Sequence, residues 1–550
     1  MKLFYSIFII FICWGEKNTY ADSQAIDEST LQSSNIIFNW AEQQFFQFFP
    51  NYASIFPLNT QTIIHPSGWI YRYYLPTDNY IGIFNHDVYI TGASFFTATE
   101  EIVPIKVASI TDTLNAVFAT PIFVNNIEPS GIELPFRNLL SSDGSLSFRN
   151  GGYGSAIAPH PTNKNQFYAL TDRGPTAAFT GEDGKGKIFP IPDFSPRIGL
   201  FELTSANSIV WIKDILFKDT QGTPITGLPN SKKLGGTGEV PYDTQGNTLL
   251  DAQGNIRWDD FGLDSEGMVA LKDGTFWVSD EYGPHIVHYD RDGKEIGRIN
   301  PFTKDARTHI NLPAEFSNRE PNRGMEGLTI TPDQKMLVGI MQSTLQNPND
   351  KVLDSKLTRI ITIHLETGVI GQYLYKQRKK QNSNSDIIAL SATQFLVIER
   401  DGGFLNGGSK NASADSQKLI YLINLNTATN LETIPLTKNL SQDKKQGLMI
   451  KNKTLEQTVI NNGWGSLDKQ GIQPVTKTLI VDVVAELNYP HDKLEGLWVI
   501  DAQTIAVLND DDFASWPTKG DWGTKYINAE KTKIDANTLY IIKGLNLNLK

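Results

Sequence analysis

"DSEGMVALKDGTFWVSDEYGP", Asp264 to Pro284, reads as two apolar strands joined by a Lys-Asp-Gly-Thr turn. Acidic residues gather at the start of the first strand (Asp264, Glu266) and at the end of the second (Asp280, Glu281). Antiparallel pairing sets those two ends side by side. The layout recurs. "GYGSAIAPHPTNKNQFYALTDRGP" begins at Gly152, "GMEGLTITPDQKMLVGIMQST" at Gly324, "NSDIIALSATQFLVIERDGGF" at Asn384 and "KLEGLWVIDAQTIAVLNDDDF" at Lys493. Each has a polar or acidic entry, an apolar strand, a tight turn, a second apolar strand and a polar exit. A further strand pair follows, as in "HIVHYDRDGKEIGRI" and "RIITIHLETGVIGQYLY".

Four antiparallel strands repeating about five times are the signature of a β-propeller. One blade cannot bury both faces alone, so neighbours stack and the strands read as nearly continuous apolar runs. The chain is therefore expected to be all-β: a propeller of five to six blades over residues 131–550, with five recognisable four-stranded repeats. The last repeat runs out after "TLYIIKGLNL" (538–547). Its fourth strand is expected from before the first repeat, from "IELPFRNL" (132–139), closing the ring non-covalently. Long insertions are expected near 218–262, 438–475 and 512–535.

Ahead of the propeller the reading changes. Met1-Lys2 followed by "LFYSIFIIFICWG" and ending near Ala21 reads as a signal peptide over 1–21, with an uncleaved anchor as the rival reading. The apolar run is short for a stable membrane span. Cys13, the only cysteine, lies inside it, and Ile12 before it fits a lipoprotein cleavage site poorly. The mature chain then has neither disulfides nor cysteine-bound zinc. Export without disulfides suits a bacterial periplasm or exterior. Residues 22–35 read as a polar leader and 36–100 as a small α+β module: a helix in "NWAEQQFFQFFP" (39–50), then three aromatic-rich strands in "WIYRYYLPTDNYIGIFNHDVYITG". It is similar to a module found near the start of various bacterial secreted proteins, and is expected to serve as an attachment or partner-binding piece. Residues 101–130 read as a connector with some strand character.

The whole chain of 550 residues carries a net charge of −11 with 40% hydrophobic residues. That composition is globular. The acidic balance argues against nucleic acid and anionic membranes, and is compatible with cations or a small anionic or ester substrate.

In a propeller the first strand of each blade lines the channel, and entries meet exits at one mouth. Entries bring Glu266, Glu326, Asp386 and Glu495. Exits bring Asp172, Asp280, Glu281, Glu399, Asn509 and Asp510. Two like charges 4 Å apart repel by about 4 kcal/mol at an effective dielectric near 20. A divalent cation with oxygen ligands, calcium first among them, relieves that repulsion; so does protonation or hydrogen bonding to backbone N–H groups. The candidate ligands are Asp172, Glu266, Glu326, Glu399, Glu495, Asn509 and Asp510. The candidate catalytic acids are Glu266, Asp280, Glu281, Glu326 and Glu495. Arg173, Arg323, Arg400 and Lys493 stand among them. They read either as local salt bridges or as part of a mixed site in which metal and cations clamp an anionic group.

The motifs "LTDRGP" (170–175), "DSEGMVALKDGTFWVSDEYGP", "RGMEGLTITPD" (323–333), "VIERDGGF" (397–404) and "KLEGLWVIDAQTIAVLNDDDF" resemble, in order, those of the phytase-like domain family, described by its esterase-like activity of phytase. The resemblance covers 152–545 and implies a propeller that hydrolyses phosphate monoesters. Calcium-dependent propeller phytases, similar in architecture, build phosphate sites from acids and cations in the same mouth. The fourth entry departs from the pattern, with Asp386-Ile387 where others have Glu-Gly.

Other motifs are weaker. "GEDGKGK" (181–187) has the spacing of a phosphate-binding loop, but Ile188 follows it and no helix pattern does. "DRDGKE" (290–295) reads as a hairpin turn rather than a calcium loop. His285 and His288, three apart on a strand, face opposite sides and cannot share zinc. No Gly-x-Ser-x-Gly elbow occurs. Three functions follow: a metal-assisted hydrolase of phosphomonoesters or esters, a lactonase-like propeller for which Asn509 beside Asp510 is suited, and a secreted binding propeller without catalysis.

Overall fold

A computed structural model describes residues 60–64, 70–74, 79–84, 87–91, 105–109, 131–380, 382–518 and 521–547. Two compact units divide the chain, Met1–Ile127 and Glu128–Lys550. In the first, the strands Thr60–Ile64, Ile70–Tyr74, Asn79–Phe84, Asp87–Thr91 and Ile105–Ser109 pair antiparallel in chain order. The middle three are the strands expected from the sequence. The signal peptide and polar leader expected at 1–35 and the helix expected at 39–50 lie outside the described residues.

The second unit is a ring of five sheets. Blade 1 consists of Ala156–Pro159, Gln166–Leu170, Arg197–Leu203 and Ile209–Leu216. Blade 2 consists of Ser265–Ala270, Phe276–Asp280, Ile286–Tyr289 and Glu295–Asn300, with Thr308–Asn311 added in parallel at its outer edge. Blade 3 is Met325–Ile330, Met336–Met341, Leu357–His364 and Ile370–Lys376. Blade 4 is Ser383–Ala389, Gln394–Arg400, Lys418–Asn424 and Thr476–Asp482. Blade 5 is Gly496–Asp501, Thr504–Leu508 and Thr538–Lys543, completed by Ile132–Glu133.

That last strand closes the ring as the sequence suggested. Leu539 pairs with Ile132 and Thr538 with Glu133, antiparallel. The innermost strands also touch in cyclic order, blade 1 with 2, 2 with 3, 3 with 4, 4 with 5 and 5 with 1. The blade count is five.

Each junction has its own apolar core. Leu170 and Leu200 meet Val278 and Tyr289 between blades 1 and 2. Trp277 and Ile299 meet Leu328 and Ile361 between 2 and 3. Ile340 meets Phe395 and Val397 between 3 and 4, and Leu396 and Ile398 meet Leu497 and Val507 between 4 and 5. Ala506 and Leu508 meet Phe167 and Phe201 between 5 and 1. Strand residues alternate sides, so the inner strands bury both faces and read as apolar runs, whereas the outer strands Ile209–Leu216 and Thr476–Asp482 are partly exposed.

The Glu-Gly entries follow from how tightly the inner strands approach. A Cβ on Gly267 would collide with the backbone oxygen of Glu326, and one on Gly327 would sit 2.7 Å from the Cα of Asp386. Only glycine leaves room for the neighbouring backbone.

The insertions lie where expected. Residues 440–462 form a three-stranded sheet and the helix Leu455–Asn462, started by a capping box of Thr454 and Gln457. Ser515–Thr518 and Asp521–Thr524 form a hairpin. A further excursion was not expected: "GEDGKGK" lies in a hairpin, Ala177–Gly181 with Gly184–Ile188, whose second strand pairs in parallel with Val240–Tyr242. "DRDGKE" is a hairpin turn, with the Asp290 carboxylate accepting from the N–H groups of Asp292 and Lys294.

Candidate functional site

Three carboxylates from one blade define the site. Asp264, Glu266 and Glu281 are buried, and each offers an oxygen within 4.8 Å of the others. Glu266 sits at a bulge: Ser265 pairs with Asp280 and Gly267 with Ser279, leaving Glu266 unpaired and aimed inward. Glu326 occupies the same bulge in blade 3, between Met325 and Gly327. Glu281 follows the second strand of blade 2. Gln342 holds the equivalent place in blade 3 and bridges the two blades, donating from Nε2 to Glu281 Oε1 at 2.7 Å and to Glu326 Oε2 at 3.0 Å.

The acids extend around the mouth. Asp172 faces Asp510 and Asp264, Glu266 faces Glu326, Glu281, Asp264 and Glu495, and Glu326 faces Glu281 and Glu495. Burial first, and then these facing charges, hold Asp172, Glu266 and Glu326 well above the ordinary carboxylate range. Burial likewise pushes Glu281 up to about 7 and Asp510 up to about 7. So many carboxyl groups crowded together form an all-oxygen donor set, and a hard divalent cation such as calcium suits it by relieving the repulsion that raises them.

The cations are interleaved with them. Arg173 lies 3.0 Å from Asp264 Oδ2 and 3.3 Å from Glu239 Oε1. Arg323 donates to Gln342 Oε1 at 3.0 Å and lies 3.6 Å from Glu320. Arg400 pairs with Glu495 and donates to Ser385 Oγ at 3.0 Å. Lys493 bridges Asp510 and Asp512, the latter at 2.7 Å.

Some expected residues are elsewhere, and strand alternation explains them. Glu281, Arg400 and Asp510 face the mouth, so their predecessors Asp280, Glu399 and Asn509 face the other way. Asp280 accepts from the N–H groups of Asp264 at 2.9 Å and Gly283 at 2.6 Å. Glu399 is enclosed by Tyr375 (2.8 Å), Asn382 (2.8 Å) and Lys477 (2.5 Å). Asn509 donates to Asp535 at 3.1 Å and accepts from the Thr538 N–H at 2.7 Å. Asp280 and Asn509 brace their own blades and Glu399 ties blade 4 to Tyr375 of blade 3, and the lactonase-like reading loses Asn509 as a ligand.

Asp386 is also displaced. Asn384 pairs with Glu399 and Asp386 with Ile398, so the bulge falls on Ser385. Ser385 is the counterpart of Glu266 and Glu326, and Asp386 stands where the other blades have glycine. Its carboxylate accepts from the N–H groups of Ile387 at 2.8 Å and Leu497 at 2.9 Å, tying blade 4 to blade 5.

His285 and His288 are separate, as expected. His285 Nε2 lies 3.2 Å from Asn230 Oδ1, whereas His288 stacks on Trp277 with ring centroids 4.3 Å apart.

This five-bladed ring with its acidic mouth matches a known family. Residues 149–513, more than half of the chain, fit the phytase-like family model, described as esterase-like activity of phytase. The chain belongs to that family. A curated relative, an uncharacterized secreted protein of the fungus Arthroderma benhamiae, is 33% identical over 312 residues. That match covers 46% of this chain and 59% of the relative's length. Solved structures with some likeness to the chain include the periplasmic gluconolactonase of Pseudomonas aeruginosa (10% identity, TM-score 0.26, 74% of this chain and 99% of that one). The PQQ-bound aldose sugar dehydrogenase of Streptomyces coelicolor is another (9% identity, TM-score 0.26, 85% and 92%).

Proposed function

We propose that the chain is a secreted hydrolase of phosphomonoesters or related esters that works with a divalent cation at the propeller mouth. The observation that carries this reading is the buried triad Asp264, Glu266 and Glu281 with Arg173 against it. Asp264, Glu266 and Glu281 would hold the cation, most simply calcium, which would neutralise them and polarise the scissile ester.

The chain's own groups do the rest. Arg173 and Arg323 hold the negative charge of the substrate and of the transition state. Glu326, positioned by Gln342, takes the proton of the attacking water. Arg400 and Lys493 hold Glu495 and Asp510 in place through ion pairs. The secreted relative supports export, and among the described residues no helix is long and apolar enough to cross a membrane. The amino-terminal unit is the piece free to attach the enzyme to a surface or partner.

A panel of phosphomonoesters, carboxylic esters and lactones, offered to the purified chain with calcium, tests the reading. Phosphomonoester turnover that disappears in Glu266→Gln is expected. An inert wild-type protein across the panel would overturn it and leave a binding propeller.

A further inference from the structure

Two cations meet at one neutral side chain, and a third follows that residue in the chain. Asn322 Oδ1 accepts from Arg173 Nη2 and, at 3.5 Å, from Lys187 Nζ. Arg323 is the next residue in the chain. The three cations come from three parts of the fold: Arg173 from the exit of blade 1, Lys187 from the hairpin Ala177–Gly181 with Gly184–Ile188, and Arg323 from the entry of blade 3.

They differ in how far their charge is met. Arg173 has carboxylate oxygens of Asp264 and Glu239 within 3.3 Å, and Arg323 has Glu320 at 3.6 Å. Arg400 and Lys493, across the mouth, are paired with Glu495, Asp510 and Asp512. Among the described residues, no carboxylate oxygen lies within ion-pair distance of Lys187. Its side chain is half-buried and so stays in reach of solvent.

The hairpin that carries Lys187 is built to hold it there. Its second strand lies against Val240–Tyr242, with Gly186 opposite Val240 and Lys187 opposite Pro241. Any side chain at Gly186 would collide with the backbone oxygen of Val240. The Tyr242 hydroxyl ties the strand down by donating to the backbone oxygen of Gly184 at 2.7 Å, and Phe179 packs edge-on against the Tyr242 ring. "GEDGKGK" thus makes no phosphate-binding loop, but its glycines let the strand bring its last lysine to the mouth.

We propose that Lys187, with Arg173 and Arg323, forms the subsite for the phosphate group of the substrate, and that Lys187 is its specificity-determining residue. The proposal rests on the hydrolase reading for the word substrate and on the geometry for the anion. Arg173 and Lys187 both donate to Asn322 Oδ1, a place that an anion's oxygen can take, with Arg323 next in the chain, and phosphate offers such donors more oxygens and more charge than a carboxylate. Burial, followed by the Arg173 charge, lowers the Lys187 ammonium from its ordinary range, against the opposing pull of Glu239, Asp264 and Glu281.

The test is titration of inorganic phosphate, and of acetate, into the full calcium-loaded chain below the solubility limit of calcium phosphate. Wild type is expected to bind phosphate in preference to acetate. Lys187→Met should weaken phosphate binding about tenfold, the loss expected for one charged hydrogen bond. Lys187→Arg should keep most of the affinity, and Lys272→Met, on an exposed turn, should change nothing. Wild type that binds no phosphate, or Lys187→Met that binds it as wild type does, overturns the proposal. Lys187-dependent phosphate binding without hydrolysis of any ester overturns the hydrolase reading alone and leaves the subsite standing.

Discussion

Arg400, at the exit of blade 4, pairs with Glu495, at the entry of blade 5, and both are buried. The pair joins two adjacent blades rather than standing free for a ligand. Removing one partner leaves the other charge without compensation. Arg400→Met is therefore expected to cost about 3 kcal/mol in urea unfolding. Arg400→Met with Glu495→Gln should recover most of that loss. Equal destabilisation by the single and double variants would show that the two residues do not act as a pair.

Alternation along the exit strands separates chemistry from scaffolding. Glu281→Gln and Glu399→Gln are both carboxylate-to-amide changes at blade exits. Glu281→Gln should abolish turnover while leaving the fold intact. Glu399→Gln weakens the ties to Tyr375 and Lys477, so it should cost about 1–3 kcal/mol of stability with turnover per folded molecule unchanged. Parallel kinetics and denaturant curves on the two variants check this, and the reverse pattern would contradict it.

The inner strands leave no room for a methyl group at the Glu-Gly entries. Gly267→Ala is expected to destabilise by about 1–3 kcal/mol, because the collision is with backbone and cannot be relieved by a rotamer change. A stability within error of wild type would mean that the ring can widen at this junction.

His285 is buried and held neutral, first by burial and then by Arg298, Arg307 and Arg319. Its ammonium-like form is thus held well below its ordinary range of about 6.5. Below that pH the unfolded chain takes up a proton that the folded chain refuses, so stability falls as pH falls. The slope reaches about 1.4 kcal/mol per pH unit for one proton. His285→Gln should flatten the decline between pH 6.5 and 5 in denaturant midpoints. An unchanged slope would place the acid sensitivity elsewhere.

Much of this was legible in the chain. The repeated hairpins pointed to five or six blades, and the missing last strand pointed to residues near Ile132. Both follow from burial of apolar strands on two faces. The gathering of acids at one mouth was legible for Glu266, Glu326, Glu281, Asp172, Glu495 and Asp510. Asp280, Glu399 and Asn509 were misplaced because a one-residue step along a strand changes its face, and an unaligned strand end does not reveal which residue is last. Asp386 was misread because the bulge falls one residue earlier, on Ser385. Lys187 ends the "GEDGKGK" stretch, set aside because no helix pattern follows it, and it arrives through a hairpin folded against distant residues; Gln342 carries no motif and matches Glu281 only in register.

The central claim is that the mouth holds a divalent cation on Asp264, Glu266 and Glu281. Its most direct test is the thermal midpoint of the full chain in calcium and in chelator, for wild type and for Glu266→Gln with Glu281→Gln. Calcium should stabilise wild type, by about 2.7 kcal/mol at a hundredfold excess over Kd, and leave the double variant unmoved. A wild-type midpoint that is the same in calcium and in chelator would contradict the account.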